Sequence, residues 1–253
     1  MVVSLVQSDL VWESPAENRR SIERLIRDAD AADIYLLPEM FPTGFTMQPA
    51  RAAESMEGET VRWMKKLSSE RNAAICGSVV ISEDGNFYNR LLFVHPDGTI
   101  DKYDKRHLFT LAGEEKHYTR GEEKVIAEFR GFKICLQVCY DLRFPAFARN
   151  AEDYDLLIYV ANWPEARIKA WDALLRARAI ENMCYVAAVN RVGTDGNGHR
   201  YNGHSQVIDF MGDYSIDPFE DEAVVATSLD QEAMLQARQK FGFLNDRDSI
   251  TVS

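Results

Sequence analysis

The chain has 253 residues, 46% of them apolar, and a formal net charge of -11. Its length suits one large α/β domain or two small ones, and its apolar share is enough to bury a full core without disulfide or metal staples. The acid excess is spread along the chain and forms no tail, which argues against a nucleic-acid partner, because phosphate needs clustered Lys and Arg.

In chain order, Val2-Val3-Ser4-Leu5-Val6 reads as a strand and not as a signal peptide, because no basic region or long apolar run accompanies it. Ser14-Pro15-Ala16-Glu17 has the form of a capping box with proline at the first helical position. The following helix puts Ile22, Leu25, Ile26 and Ala29 on one face. Ile34 to Leu37 is a short buried strand that stops at Pro38-Glu39. A helix from Thr60 to Arg71 turns Val61, Met64 and Leu67 inward. Strands at Ala73–Ile81 and Phe87–Val94 flank an Asp84-Gly85 turn, and Pro96-Asp97-Gly98 leads into an extended Thr99 to Tyr103.

Asp104 to Glu123 is polar and aperiodic, long enough to suggest a functional loop. Val125–Phe129 and Phe132–Val138 form a hairpin around Arg130-Gly131, and Cys139 follows at once. After a strand at Leu156–Ala161 comes a helix at Ile168–Met183, with Trp171, Leu174, Leu175 and Ile180 on its apolar side. Tyr185–Val189 is a strand, and Gly193 to Gly203 reads as a glycine-rich surface loop near the rim of a site. Strands near Ser205–Phe210 and Ala223–Leu229 precede a last helix over Asp230 to Phe241.

No repeat, low-complexity tract or Pro/Gly/Ser-rich boundary interrupts this order, so residues 1–253 read as a single domain with sheets flanked by helices. No stretch approaches the roughly 18 apolar residues of a membrane span. Cys76, Cys135, Cys139 and Cys184 form no CxxC pair, a pattern of free thiols that predicts a cytoplasmic protein. His95, His107, His117, His199 and His204 lack metal-ligand spacing, so neither a metal nor another cofactor is expected.

Glu39, Lys105 and Cys139 each follow an apolar strand, and ligands of α/β sheets bind beyond the carboxyl ends of strands. Together they supply a nucleophile, a carboxylate that can shuttle its proton, and a cation for a tetrahedral oxyanion, which the Tyr140 N–H would also face. On composition and spacing alone other readings stay open: Cys139 as a small buried hydrophobe, Glu39 as a loop carboxylate, Lys105 as a surface lysine.

The local sequences go further. Leu36-Leu37-Pro38-Glu39-Met40-Phe41, Tyr103-Asp104-Lys105-Arg106-His107-Leu108-Phe109 and Cys135-Leu136-Gln137-Val138-Cys139-Tyr140-Asp141-Leu142-Arg143-Phe144-Pro145 resemble the three motifs of the nitrilase (carbon–nitrogen hydrolase) superfamily. Ala161-Asn162-Trp163-Pro164, Ala177 to Asn182 and Tyr201 to Ser205 extend the resemblance over nearly the whole chain. It implies a four-layer α-β-β-α sandwich, with Glu39 as general base, Lys105 as the oxyanion-stabilising or proton-donating lysine and Cys139 as nucleophile. It also implies a supporting glutamate in the loop after the lysine. Glu114 fits through the run Glu114…Tyr118…Gly121, with Glu115 as the alternative. Pairing of subunits through outer helices, as a homodimer or higher oligomer, is a further implication.

Within the superfamily the resemblance is to omega-amidases, which hydrolyse the terminal amide of 2-oxo acids such as 2-oxoglutaramate and 2-oxosuccinamate. A small-molecule amide substrate is therefore expected, with Arg143 facing its carboxylate or else bracing Asp141, and Trp163 as pocket wall or core. An N-carbamoyl amide hydrolase, another aliphatic amidase, or an inactive binding protein on the same fold are the alternatives.

Overall fold

The structure is a computed structural model that describes residues 1–251. The first half of the chain builds one sheet. β1 (Val2–Gln7), β2 (Ile34–Leu36) and β3 (Ala74–Glu83) run parallel, and β4 (Asn86–Val94) and β5 (Ile100–Asp104) continue as an antiparallel meander. Helices α1 (Pro15–Asp28), α2 (Pro49–Ala52) and α3 (Glu59–Arg71) lie between those strands.

The second half follows the same plan. β6 (Ile126–Phe129) pairs antiparallel with β7 (Phe132–Val138), which runs parallel to β8 (Leu156–Val160) and β9 (Tyr185–Val189). The crossovers carry α4 (Pro145–Ala148) and α5 (Ile168–Asn182). A small hairpin of β10 (Val192–Thr194) and β11 (Arg200–Asn202) precedes β12 (Ser205–Ile208) and β13 (Tyr214–Phe219). β14 (Ala223–Ser228) then crosses back to pair with β1, and α6 (Gln231–Phe241) follows. The two six-stranded orders are β14-β1-β2-β3-β4-β5 and β13-β12-β9-β8-β7-β6.

Alternation along the strands sorts residues between the layers. Ile34 and Leu36 face the space between the sheets, whereas Tyr35 and Leu37 pack outward beneath Ile22, Ile26, Val61 and Met64 of α1 and α3. β8 and β9 are buried at every position because the other sheet covers one face and α5 the other, hence their unbroken apolar runs. Phe93 of β4 meets Phe129 of β6 edge to face at 5.7 Å across the sheet interface. Helices, two mixed sheets and helices again make an α-β-β-α sandwich.

Three local expectations need correction, and one strand is unannounced by the sequence. The Ser14 side chain caps no backbone N–H of α1; its hydroxyl faces Glu17 Oε2 at 3.4 Å. Ile180 is 51% exposed, because α5 turns Arg178 and Asn182 inward in its place. Gly193 to Gly203 is largely hairpin: β10 and β11 with a turn around Asp195. β13 carries Pro218 and is an edge strand, where a missing N–H costs no ladder bond.

Candidate active site

The carboxyl ends of β2, β5, β7 and β8 converge, and each delivers one polar group to a common cavity of about 430 Å³. Cys139 lies directly beyond β7, Lys105 beyond β5, Glu39 in the turn after β2 and Asn162 just past β8. Two of these turns are strained. Cys139 itself has φ 46° and Met40, next to Glu39, has φ 42°, both in the left-handed region that non-glycine residues rarely occupy. The Met40 turn is held by its N–H donating to Ser78 Oγ at 2.8 Å.

Lys105 Nζ donates to Glu39 Oε1 at 2.8 Å and to Glu114 Oε2 at 2.9 Å, with all three side chains fully buried. Asn89 Nδ2 bridges the same two carboxylates, at 2.8 and 3.2 Å. The other Glu39 oxygen accepts from the Asn162 N–H at 2.9 Å. Cys139 Sγ lies 3.9 Å from Asn162 O, whose residue donates its own N–H to Glu39. Of the two candidate glutamates, Glu114 reaches the lysine, while Glu115 points to solvent.

Burial alone would lower the Lys105 ammonium, but Glu114 and Glu39 outweigh it and hold the group above its usual range, so it stays charged. Burial raises the Glu114 carboxyl; Lys105 opposes and Glu39 adds to the rise. Burial, then the Glu39 charge, pushes the Cys139 thiol well above its ordinary value against the pull of Lys105. The resting nucleophile is therefore a thiol with a carboxylate at hand to take its proton during attack.

The Glu114…Tyr118…Gly121 run has a physical basis. Glu114 Oε2 also accepts from the Phe109 N–H at 2.6 Å, which folds the loop over the lysine. Tyr118 Oη donates to Thr46 O at 2.7 Å. The Gly121 N–H returns to Lys105 O at 3.0 Å, where an added Cβ would lie 2.1 Å from Asp104 O.

Asp141 ties the nucleophile turn to the lysine loop. It is fully buried and accepts from the Val138 N–H at 2.9 Å, Tyr103 Oη at 2.7 Å and the His107 N–H at 3.0 Å, with His107 Nδ1 at 2.8 Å. Those donors lie beside Cys139 and on both sides of Lys105. Asp141→Asn replaces an acceptor oxygen by a donor and should loosen both turns. The expected result is a kcat about 10- to 100-fold lower with a smaller change in KM, measured by steady-state kinetics. An unchanged kcat would show that the two turns hold their places without it.

With Asp141 so engaged, Arg143 does not pair with it. Its guanidinium lies 5.0 Å from the Trp163 ring centre on the pocket wall and has no carboxylate partner among the described residues. Trp163 is 3% exposed and combines core packing with lining the cavity. Its backbone is bracketed by Asn190, which accepts from its N–H at 2.8 Å and donates to its carbonyl at 2.9 Å. Tyr140 lines the cavity too, its ring edge-on to Phe109 at 5.0 Å. No group of three or more His, Cys, Asp or Glu side chains among the described residues is placed to hold a metal ion.

Residues 2–239 match the family described as carbon-nitrogen hydrolase. The chain belongs to that family. It is 46% identical over 252 residues to omega-amidase YafV of Yersinia enterocolitica, covering 98% of this chain and 97% of that protein. It is 31% identical over 250 residues to 2-oxoglutaramate amidase of Bacillus subtilis, covering 96% of each. The solved structure of XC1258 from Xanthomonas campestris, a CN-hydrolase superfamily protein with an arsenic adduct in its active site, is 44% identical. It superposes with a TM-score of 0.97 over 100% of this chain and 99% of that one.

Several site residues of this carbon-nitrogen hydrolase escape a reading by motif. Asn89 had a signal, a lone amide inside the apolar strand β4, where asparagine is disfavoured. Phe45, Arg167, Asp195 and His199 line the cavity, and nothing in their local sequence announces it. No helix of the described residues is long and apolar enough to cross a membrane.

Proposed function

We propose that this enzyme is an omega-amidase that hydrolyses the terminal carboxamide of a small 2-oxo acid, such as 2-oxoglutaramate or 2-oxosuccinamate, and releases ammonia. The observation that carries the reading is the pocket: thiol, carboxylate and ammonium on its floor, and on its wall an arginine without an acid partner among the described residues. The omega-amidase and 2-oxoglutaramate amidase relatives support it.

In this reading Cys139 Sγ attacks the amide carbonyl while the thiol proton passes to Glu39. The oxyanion is stabilised by Lys105 and the Tyr140 N–H, and Glu114 keeps Lys105 charged and oriented. Collapse breaks the C–N bond as Glu39 returns the proton to the departing nitrogen, leaving a thioester. Water then attacks the thioester, Glu39 takes its proton, the C–S bond breaks and the proton returns to sulfur. No cofactor enters these steps.

The test is ammonia release from 2-oxoglutaramate and 2-oxosuccinamate, compared with N-carbamoyl compounds and uncharged aliphatic amides. The 2-oxo amides should have the highest kcat/KM, and a preference for either other class would overturn the proposal. Arg143→Lys keeps the charge but loses the planar fork that matches a carboxylate. It should raise KM for the 2-oxo amides by about tenfold and by much less for an uncharged amide. Equal losses on both would retire Arg143 as a substrate ligand.

The proposal extends to a single domain over residues 1–253 acting as a cytoplasmic homodimer. Exposed Ile180 on α5, packed against Gly212, offers an apolar contact for a second copy. Sedimentation of the purified protein as a monomer at micromolar concentration would remove that part.

A further inference from the structure

We infer that Arg167 is a second specificity-determining residue, which with Arg143 grips the carboxylate and adjacent 2-oxo oxygen of the substrate and rejects an α-amino group. The inference rests on the reading that the substrate is the amide of a 2-oxo acid.

Arg167 ends the short 3-10 turn after β8, and its N–H donates to Pro164 O at 2.9 Å. Its carbonyl accepts from Trp163 Nε1, also at 2.9 Å. Trp163 thus carries Arg143 on its ring face and holds the Arg167 backbone by its ring edge. The Arg167 guanidinium lies 5.1 Å from the centre of the Phe109 ring. Phe109 in turn is fixed through its N–H to Glu114. Both guanidiniums are therefore mounted on aromatic faces that belong to the catalytic framework, and stacking leaves their in-plane N–H donors available.

The charge balance points the same way. The chain holds 40 acidic against 29 basic residues, so acid partners are plentiful. Yet among the described residues neither Arg143 nor Arg167 has one, although both line the pocket. The nearby acids are engaged. Glu39 is bound to Lys105, Asn89 and Asn162. Asp195 accepts from the N–H groups of Asn197 and His199 and from Tyr201 Oη. Glu165 faces Arg200 at 3.5 Å.

A guanidinium that pairs bidentately with a carboxylate occupies one acceptor site on each of its oxygens. A 2-oxo acid adds a carbonyl acceptor next to that carboxylate, which gives a second guanidinium a further oxygen to bind. The matching α-amino acid amides, glutamine and asparagine, present an ammonium at that position instead. They would bring a like charge to Arg167 and leave its donors unpaired, which turns abundant amino acids away from the nucleophile.

The experiment compares kcat/KM for 2-oxosuccinamate, asparagine and an uncharged amide of the same length in wild type, Arg167→Met and Arg167→Lys. On 2-oxosuccinamate the Met variant should lose about 10- to 100-fold, mainly through KM, with partial recovery in the Lys variant. Its loss on the uncharged amide should be several-fold smaller, and its discrimination against asparagine should fall. Competitive inhibition of uncharged-amide hydrolysis by 2-oxoglutarate should weaken in the Met variant by a similar factor, a readout that a structural arginine would not move. Uniform losses on all three amides, or an unchanged preference for 2-oxosuccinamate in the Met variant, would overturn the role of Arg167 alone. A wild type that prefers the uncharged amide would overturn the omega-amidase reading, and this inference with it.

Discussion

Cys139→Ala is expected to abolish turnover, with kcat lower by about six orders of magnitude, as when a nucleophile is removed from a covalent mechanism. The change deletes one sulfur from a side chain that is 9% exposed at the pocket floor. Alanine shares the backbone preferences of cysteine, so the left-handed turn at φ 46° is no more strained than before. The buried Lys105–Glu39–Glu114 cluster keeps its own contacts, and the fold should survive with a similar melting temperature. The other thiols cannot substitute. Cys76, Cys135 and Cys184 are fully buried and do not line the cavity; burial raises all of them, as it raises Cys139, but only Cys139 sits beside Glu39 and Lys105. Mass spectrometry of the wild type with a slow substrate should place an acyl adduct on Cys139. An adduct on Cys135, or a Cys139→Ala variant that still turns over, would defeat the assignment.

The strands were legible because they are written as apolar runs of the right length, and the resemblance to the nitrilase superfamily implied their stacking as a sandwich. β8 and β9 need no partner information to be recognised, since strands covered on both faces carry no alternation. The failures have local causes. The pattern of α5 nominates Ile180 as core, but the helix buries Arg178 and Asn182. Arg178 Nη2 satisfies Leu142 O at 2.6 Å, and the Asn182 carbonyl and side chain hold Asn150. A periodicity argument counts apolar residues and cannot see that a buried guanidinium has a carbonyl waiting for it. The same limit applies to the site. Glu39, Lys105 and Cys139 were candidates because each follows its own strand, and the resemblance of their local motifs to the nitrilase superfamily implied their roles. Arg167 and the β10–β11 turn were not, because they reach the pocket through the stacking of Trp163 and Phe109 and the return of a hairpin from the second sheet.

Glu39→Gln is the second large effect, and it should separate two properties that usually fall together. Glutamine keeps the size of the side chain and an acceptor for Lys105 and Asn89, which hold Glu39 Oε1 at 2.8 Å each. What disappears is the group that takes the thiol proton, returns it to the departing nitrogen and later deprotonates water. A base used in both halves of the reaction should be worth at least about 10³-fold in kcat. The nucleophile itself moves in the opposite direction. After burial, the Glu39 charge is the main influence raising the Cys139 thiol, and Lys105 opposes it. Removing the carboxylate leaves the Lys105 ammonium, still paired with Glu114, as the main charge acting on the thiol, so the thiol loses its proton at lower pH than in the wild type. Alkylation of Cys139 by a neutral reagent should therefore persist, and its rate-against-pH curve should shift to lower pH, while amide turnover collapses. Lys105→Met reverses the signs: two buried carboxylates lose their shared cation, the thiol rises further, and both alkylation and turnover fail. Parallel loss of alkylation and turnover in Glu39→Gln would mean that the carboxylate is needed to make the thiolate and not to move protons after attack. A change confined to KM would remove it from the chemical step altogether.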